Sequence, residues 1–237
     1  MFRGSATFKR PRGTIPAFAA KSMRYKQAME WKISPGFVEY PKALEAMAAR
    51  VTAIQNHAAA ELTWLVEHPP LYTLGTSAQA SDVLVHDFPA YQTGRGGQVT
   101  YHGPGQQVAY VLRDLKAHAG EAGPDLRAYV QDLEQWLILT LADFGIDAFI
   151  REGRVGVWVN TKRGEAKIAA LGVRVQKWVS SHGVALNVMP DLSHYEGIVP
   201  CGIREFGVTS FKELGVAATM DEVRNALQKN FTEVFGT

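Results

Sequence analysis

The sequence contains one cysteine and no long apolar run, and each absence excludes a class of protein. Cys201 is the single cysteine among 237 residues, so no disulfide can form within the chain. No apolar run approaches the roughly 18 residues of a membrane-spanning helix. The formal net charge of +2 is too small to favour nucleic-acid binding. We therefore expect a globular protein in a reducing cytoplasm that binds neither nucleic acid nor a membrane.

Recognisable metal sites and nucleotide-binding loops are also missing from the sequence. The seven histidines are scattered, and no group of His, Cys, Asp and Glu has the spacing of a metal site. A dinucleotide-binding fingerprint counted from Gly94 fails at its sixth position, which is Val99. No segment ends in the Gly-Lys-Ser/Thr of a phosphate loop. The sequence therefore predicts neither a metal nor a cofactor.

The first 29 residues contain no aspartate or glutamate but include seven arginines and lysines. A mitochondrial transit peptide has such a composition, but this segment shows no clean amphipathic helix. An unstructured basic extension, or sequence upstream of a start at Met23, is the favoured interpretation. We expect the extension to cover residues 1–27.

The rest of the chain has a composition that can bury a sizeable core, since 46% of all residues are hydrophobic and 20% are charged. Apolar spacing and helix-boundary residues predict helices over residues 41–60, 124–144 and 219–235. Runs rich in β-prone residues predict strands over residues 62–68, 71–74, 107–112, 156–160, 166–175 and 178–188. Helices and strands are mixed without regular alternation. This order predicts an α+β domain with a mixed or mostly antiparallel sheet.

Residues 95–106 form a run with four glycines that opens on Arg95 and contains Tyr101 and His102. Glycine suits positions where the backbone takes a positive φ or approaches a ligand closely. The run is either a tight multiple turn between strands or a binding loop. Its embedded arginine, tyrosine and histidine favour the binding loop.

Cys201 lies between a proline and a glycine, whereas most lone cysteines are small buried apolar residues. A thiol presented at such a turn is a candidate nucleophile, and it needs a base or a cation nearby to form the thiolate. The candidate partners are His102, His182 and Lys167. Lys167 begins an apolar strand, where it is either a solvated edge residue or a desolvated base. Sequence spacing leaves these alternatives open.

Four ordered motifs together resemble the octanoyltransferase family, the lipoyl(octanoyl) transferases of lipoate biosynthesis. They are RGGQVTYHGPGQ at residues 95–106, KIAALG at 167–172, HGVALN at 182–187 and PCGI at 200–203. The resemblance covers about residues 28–235. It implies a single catalytic domain over residues 28–237, similar to the mixed-sheet catalytic domain of biotin protein ligases and lipoate protein ligases.

The resemblance also implies an activity, its partners and its residues. The family transfers an octanoyl group from octanoyl-acyl carrier protein to a lysine of a lipoyl domain, without ATP. The acceptors are the lipoyl domains of 2-oxoacid dehydrogenase complexes and the glycine cleavage H protein. Cys201 is implied as the nucleophile, and Lys167 as the residue that lowers the pKa of its thiol. The implied substrate-binding residues are Arg95, Gly96, Gly97, Gln98, Val99, Thr100, Tyr101, His102, Ala170, Leu171, Gly172, Gly183, Val184 and Ala185.

Two other functions stay open beside this one. An ATP-dependent lipoate or biotin ligase would share the fold, but it would form an acyl-adenylate and would not need Cys201. A non-catalytic module that binds acyl-proteins would keep its function without the thiol. The ligases use a different arginine- and glycine-rich loop, which this chain lacks. The motifs therefore favour octanoyl transfer through a cysteine acyl-enzyme.

Overall fold

The structure, a computed structural model, describes residues 29–199 and 207–236. The expected basic extension over residues 1–27 lies outside the described residues. Among the described helices, none is long and apolar enough to cross a membrane.

The centre of the described structure is a large mixed sheet with helices on both of its faces. The helices are α1 (Tyr40–Gln55), α2 (Leu126–Ala142) and α3 (Met220–Phe235). The strands are β1 (Glu30–Phe37), β2 (Leu62–Glu67), β3 (Leu71–Leu74), β4 (Ala90–Gln92), β5 (Val99–His102), β6 (Gln106–Leu112), β7 (Ala148–Arg151), β8 (Arg154–Thr161), β9 (Gly164–Gln176), β10 (Val179–Asn187) and β11 (Gly207–Val208).

Strand pairing divides these strands into two sheets. Within the described chain, the large sheet has the order β1-β2-β6-β10-β9-β8-β7, and β11 pairs with β9. The pairs β1 with β2 and β11 with β9 are parallel, and the other pairs of this sheet are antiparallel. A small sheet has the order β4-β3-β5. The predicted α+β domain with a mixed sheet is confirmed.

Alternating side chains on the central strands build two cores. In β6, Val108 packs towards α1, while the next residue, Ala109, packs towards α2 and α3. Successive side chains of a strand point to opposite faces, so each central strand contributes to both cores. The sheet is therefore covered on both sides, and its strands read as nearly continuous apolar runs.

The structure confirms the predicted helices and strands with shifted ends. Residues 124–144 were predicted to be helical from Pro124, but α2 begins at Leu126 because Asp125 is its N-cap. The Asp125 carboxylate accepts hydrogen bonds from the backbone N–H groups of Arg127 and Ala128, at 2.8 and 3.2 Å. β1, β4, β5, β7 and β11 were not predicted.

We predict that truncating the α2 side chain Leu133 lowers the stability of the fold. Leu133 is fully buried between α2 and the large sheet. Leu133→Ala should lower the free energy of unfolding by about 2–5 kcal/mol, because the lost contacts leave a cavity. Urea unfolding measures the change. Leu126→Ala is the matched control on the same helix, since Leu126 is 42% exposed, and its effect should stay within about 0.5 kcal/mol.

Candidate active site

A cavity of about 210 Å³ lies where the small sheet meets the large one. Residues of β5 and the preceding loop line one side, and residues of β6, β9 and β10 line the other. Its surface is mainly apolar with a few buried polar groups, which is the usual character of a small-molecule site. The polar and charged lining side chains include Arg95, His102, Lys167 and His182.

The structure brings most of the residues implied by the four motifs to this cavity. Those that line it are Arg95, Gly97, Gln98, Val99, Thr100, His102, Lys167, Ala170, Leu171, Gly172, Gly183, Val184 and Ala185. Gly96 and Tyr101 are outside the lining. Cys201 lies outside the described residues.

The glycine-rich run is only partly a loop. Its second half contains β5, which pairs antiparallel with β3 from Val99 opposite Leu74 to His102 opposite Leu71. This corrects the prediction of a binding loop over the whole run. The pairing partner of β5, β3, is far away in sequence, so local composition does not predict this strand.

Tyr101 packs in the core of the small sheet and outside the cavity lining. Tyr101 is fully buried in a separate apolar cluster with Tyr72 and Tyr195, while its neighbour His102 faces the cavity. The hydroxyl of Tyr101 lies 2.8 Å from Nδ1 of His194. In this structure Tyr101 therefore holds the small sheet against residues 192–197.

The first half of the run lies against β9. The backbone N–H of Gly96 donates to the carbonyl of Val173 at 2.9 Å. A Cβ placed on Gly172 would lie 2.9 Å from Cδ of Arg95, which is closer than real contacts allow. Glycine at position 172 is thus a requirement of close packing, and it lets Arg95 reach the cavity wall.

Arg95 is a buried cation that is held by neutral oxygen atoms. Its Nη2 donates to the carbonyl oxygen and to Oγ1 of Thr73, both at 2.7 Å, and Nε donates to the same Oγ1 at 3.2 Å. Nη1 donates to the carbonyl of Gly96 at 3.0 Å. These bonds offset part of the cost of removing the guanidinium from water. The cavity wall consequently carries a fixed positive charge.

His102 is neutral, and its hydrogen bonds define its tautomer. Nε2 of Gln106 donates to the carbonyl of Tyr101 at 3.1 Å, so Oε1 of Gln106 is the acceptor. His102 Nδ1 must then donate to that Oε1, at 2.7 Å, and its Nε2 accepts from the Thr73 hydroxyl at 3.2 Å. Burial, with a smaller contribution from His68, lowers the pKa of His102 to about 3.

His182, the other histidine considered as a base for the thiol, is neutral as well. Burial is the main cause that lowers its pKa, to about 4, and the nearby Arg95 and Arg174 act in the same direction. Its backbone has φ of +59°, an uncommon conformation for a residue other than glycine. His182 is followed by Gly183, where a Cβ would lie 2.2 Å from the carbonyl oxygen of Ala109. The strand therefore approaches β6 closely at the cavity.

Lys167 is placed by an irregularity in β9. Val157 pairs with Ala169 and Trp158 pairs with Lys167, so Ile168 is an extra residue, a β-bulge. Lys167 is 8% exposed, and its Nζ donates to the carbonyl of Val155 at 3.0 Å. The Nζ atom also lies 4.9 Å from the ring centre of Trp158, in cation–π range. Lys167 is thus buried, and the interpretation of a solvated edge residue is wrong.

Several lining residues were missed by sequence reasoning. Tyr40 and Tyr110 contribute buried hydroxyl groups, and burial raises the pKa of Tyr40 to about 12. Tyr110 donates to Nε2 of His68 at 2.7 Å, because Nδ1 of His68 donates to the carbonyl of Val38. Trp158 stands opposite Lys167 in the antiparallel pair of β8 and β9. Both strands were predicted, and their closeness in sequence was the one available signal. Tyr40 had none, since only the fold brings the start of α1 to the cavity.

The fold and cavity define a class of protein, the catalytic domain of lipoyl protein ligases A and B. The family model with the description "Lipoyl protein ligase A/B catalytic domain" matches residues 39–232. A chain of the solved archaeal lipoylation system of Thermoplasma acidophilum, a bipartite lipoate protein ligase, superposes with a TM-score of 0.65 at 20% identity, over 88% of this chain and 85% of that one. A Helicobacter pylori biotin acetyl coenzyme A carboxylase synthetase superposes with a TM-score of 0.51 at 11% identity, over 88% and 75%.

Relatives in sequence identify the family within this class. An octanoyltransferase of Paramagnetospirillum magneticum is 60% identical over 210 residues, which cover 88% of this chain and 97% of that protein. An octanoyltransferase of Parvibaculum lavamentivorans is 57% identical over 215 residues, covering 89% and 94%. The chain belongs to the octanoyltransferase family, a family of acyltransferases. These relatives do not favour the alternative of an ATP-dependent ligase.

We predict that His102 makes stability depend on pH. Its folded pKa of about 3 lies below its ordinary value of 6.5, so this contribution is fully present above pH 6.5 and is lost as the pH falls towards 3. Between pH 6.5 and pH 3, His102 binds a proton in the unfolded state but stays neutral in the folded state. His102→Gln should therefore reduce the slope of unfolding free energy against pH by up to about 1.4 kcal/mol per pH unit.

Urea unfolding between pH 7 and pH 5 measures this slope. His57→Asn is the control, because His57 lies exposed in a turn after α1. An unchanged slope in the His102 variant would show that His102 takes up its proton as readily in the folded state as in the unfolded one.

Proposed function

We propose that this protein transfers an octanoyl group through an acyl-enzyme at Cys201, with Lys167 as the proton acceptor and donor. The observation that carries the proposal is the burial of the Lys167 amino group in the wall of a mainly apolar cavity. A cavity that accepts a hydrocarbon chain and exposes one amine to it suits acyl transfer. The same lining includes 12 of the 14 residues that the motifs implied for substrate binding.

The proposed chemistry has two steps. Lys167 accepts the thiol proton of Cys201, and the thiolate attacks the thioester carbonyl of the acyl donor. The carbon–sulfur bond of the donor breaks, and Lys167 returns the proton to the leaving thiol. A lysine amine of the acceptor then attacks the octanoyl-enzyme and gives up a proton to Lys167. The carbon–sulfur bond to Cys201 breaks, and Lys167 passes that proton to the departing sulfur of Cys201. No ATP is consumed, because the donor thioester is already activated.

The position of Lys167 in the fold supports this pairing of residues. The segment that contains Cys201 is followed directly by β11, and Val208 of β11 is the register partner of Lys167. Val208 also lines the cavity. The strand that directly follows the Cys201 segment in the sequence therefore lies beside Lys167, the lysine that the proposed chemistry requires.

The apolar lining supports recognition of a medium-length acyl chain. Val99, Ala170 and Val184 contribute aliphatic surface to the cavity. Burying an octanoyl chain at about 0.8 kcal/mol per CH₂ would contribute about 5 kcal/mol of binding free energy. The fixed charge of Arg95 lies in the same wall and orients the polar thioester end.

We assign octanoyl-acyl carrier protein as the donor. The acceptors in this proposal are the lipoyl domains of 2-oxoacid dehydrogenase complexes and the glycine cleavage H protein. The family, which joins octanoyltransferases with lipoyl protein ligases, supports an acyl donor and a lipoyl-domain acceptor. The bacterial relatives also support a cytoplasmic site of action.

Mass spectrometry of the intact protein after incubation with octanoyl-acyl carrier protein tests the acyl-enzyme. We expect one octanoyl adduct in the wild type and none in Cys201→Ala, because Cys201 is the single cysteine. Addition of a lipoyl domain without ATP should discharge the adduct and add the same mass to the domain. An adduct that persists in the variant would exclude Cys201 as nucleophile. Octanoylation from free octanoate plus ATP, with none from the thioester, would establish a ligase instead.

Alkylation by iodoacetamide at pH 7 tests the role of Lys167. Because the chain has one cysteine, the reaction reports on Cys201 alone. Lys167→Ala should slow alkylation by about tenfold or more, since the thiolate is the reacting species. Lys162→Ala is the matched control, as Lys162 lies exposed in the turn between β8 and β9. Equal alkylation rates in the Lys167 variant and the wild type would contradict the proposed dyad.

A further inference from the structure

We infer that Glu134 on α2 is a positioning residue for Lys167 and acts through the peptide group that joins Val155 to Gly156. The inference rests on the proposed role of Lys167 in acyl transfer. It concerns a residue on a helix behind the sheet, outside all four sequence motifs.

One peptide group links the two side chains. Nζ of Lys167 donates to the carbonyl oxygen of Val155 at 3.0 Å. The backbone N–H of Gly156, on the other edge of the same peptide, donates to Oε1 of Glu134 at 3.1 Å. A peptide group is planar and its C=O and N–H point in opposite directions, so the bond to Glu134 sets where the carbonyl points. Consecutive hydrogen bonds of this kind also polarise and strengthen one another.

The conformation of Gly156 shows that this peptide is held in a special orientation. Its φ is +131°, a region that residues with a side chain rarely adopt. A Cβ on Gly156 would lie 2.9 Å from the carbonyl oxygen of Ala169 and 3.0 Å from Cε of Lys167. The stem of Lys167 therefore packs directly on the glycine whose N–H is held by Glu134.

The burial of Glu134 is the second indication of a role. Its side chain is 7% exposed and lies on the face of α2 that carries Leu133 and Leu137 into the core. Removing a carboxyl group from water is unfavourable unless it gains a partner. Burial raises the pKa of Glu134, while the Gly156 N–H and the charge of Lys167 act against that rise. A glutamate at this position is explained by the peptide that it orients.

For the reaction, the consequence is that the amino group of Lys167 is held in one orientation. Because one N–H of Lys167 is committed to the Val155 carbonyl, rotation of its amino group is restricted. The lone pair of the neutral amine then points away from Val155. A peptide that rotates freely would leave the amino group able to turn away from the thiol.

Three substitutions at Glu134 test the inference. Glu134→Gln keeps the length and the acceptor oxygen but removes the charge. Glu134→Asp keeps the charge but withdraws the oxygen from the Gly156 N–H, and Glu134→Ala removes both. We expect the Asp and Ala variants to slow octanoyl transfer by about 10–100-fold, because small misplacements of a reacting group have effects of this size, while the Gln variant retains the rate within about threefold.

A double-mutant comparison separates positioning from folding. In a Lys167→Ala background, Glu134→Ala should cause no further loss of the residual rate, since both changes act on one group. Thr140→Val is the matched control on α2, because Thr140 is also buried but its hydroxyl donates within the helix, to the carbonyl of Trp136 at 2.8 Å. It should lower the melting temperature and leave the transfer rate unchanged. If Glu134→Ala does not fold, the order of the Gln and Asp variants still decides.

The possible failures are distinguishable. Wild-type rates in the Asp variant, or a Gln variant slower than the Asp variant, would overturn the role of the acceptor oxygen. A full additional loss in the Lys167→Ala background would show that Glu134 acts elsewhere. A wild-type rate in Lys167→Ala alone would overturn the proposed function of Lys167 and leave no group for Glu134 to position.

Discussion

The pairing of β9 with β10 is the interaction on which the site depends. Gly172 lies opposite Gly183 in this antiparallel pair, followed by Leu171 opposite Val184. The two glycines let the backbone approach the Arg95 stem on one side and β6 on the other. Three of the four sequence motifs lie within the described residues, and two of them meet in this pair. The third, the glycine-rich run, is bound to it through the Gly96 N–H.

A second constraint is the burial of polar groups in the cavity wall. Arg95 and Lys167 are both buried, and each is held by backbone or side-chain oxygen atoms. His102 and His182 are also buried polar groups, but burial lowers their pKa values and keeps them neutral. The wall thus contains the guanidinium of Arg95 and the amino group of Lys167, each held in a fixed direction, beside neutral imidazoles. In the proposed reaction, such an environment would orient a thioester dipole without the reorganisation that water requires.

Whether a feature of the fold or the site could be predicted depends on how far apart in the sequence the interacting residues are. Local periodicity predicted α1 and α3, because one face of each helix is apolar and packs on the sheet. The sequence predicts a loop at β5, because its partner β3 is 25 or more residues away and its own segment is short and flanked by glycine. The start of α2 differs from the predicted Pro124, because the Asp125 side chain caps the helix through hydrogen bonds that composition does not reveal. Tyr40 and Glu134 carry no motif, so only packing places them near the site.

The sequence by itself determined the fold class and the family, because motif order and apolar periodicity are local properties. It also determined that a single thiol is present in the chain. Only the tertiary structure decided that Lys167 is a buried wall residue, beside a β-bulge that shifts the register of its strand. It likewise decided that Tyr101 lies outside the cavity and that Glu134 meets the peptide beside Lys167. These outcomes depend on register and on contacts between distant elements, and neither is contained in local sequence.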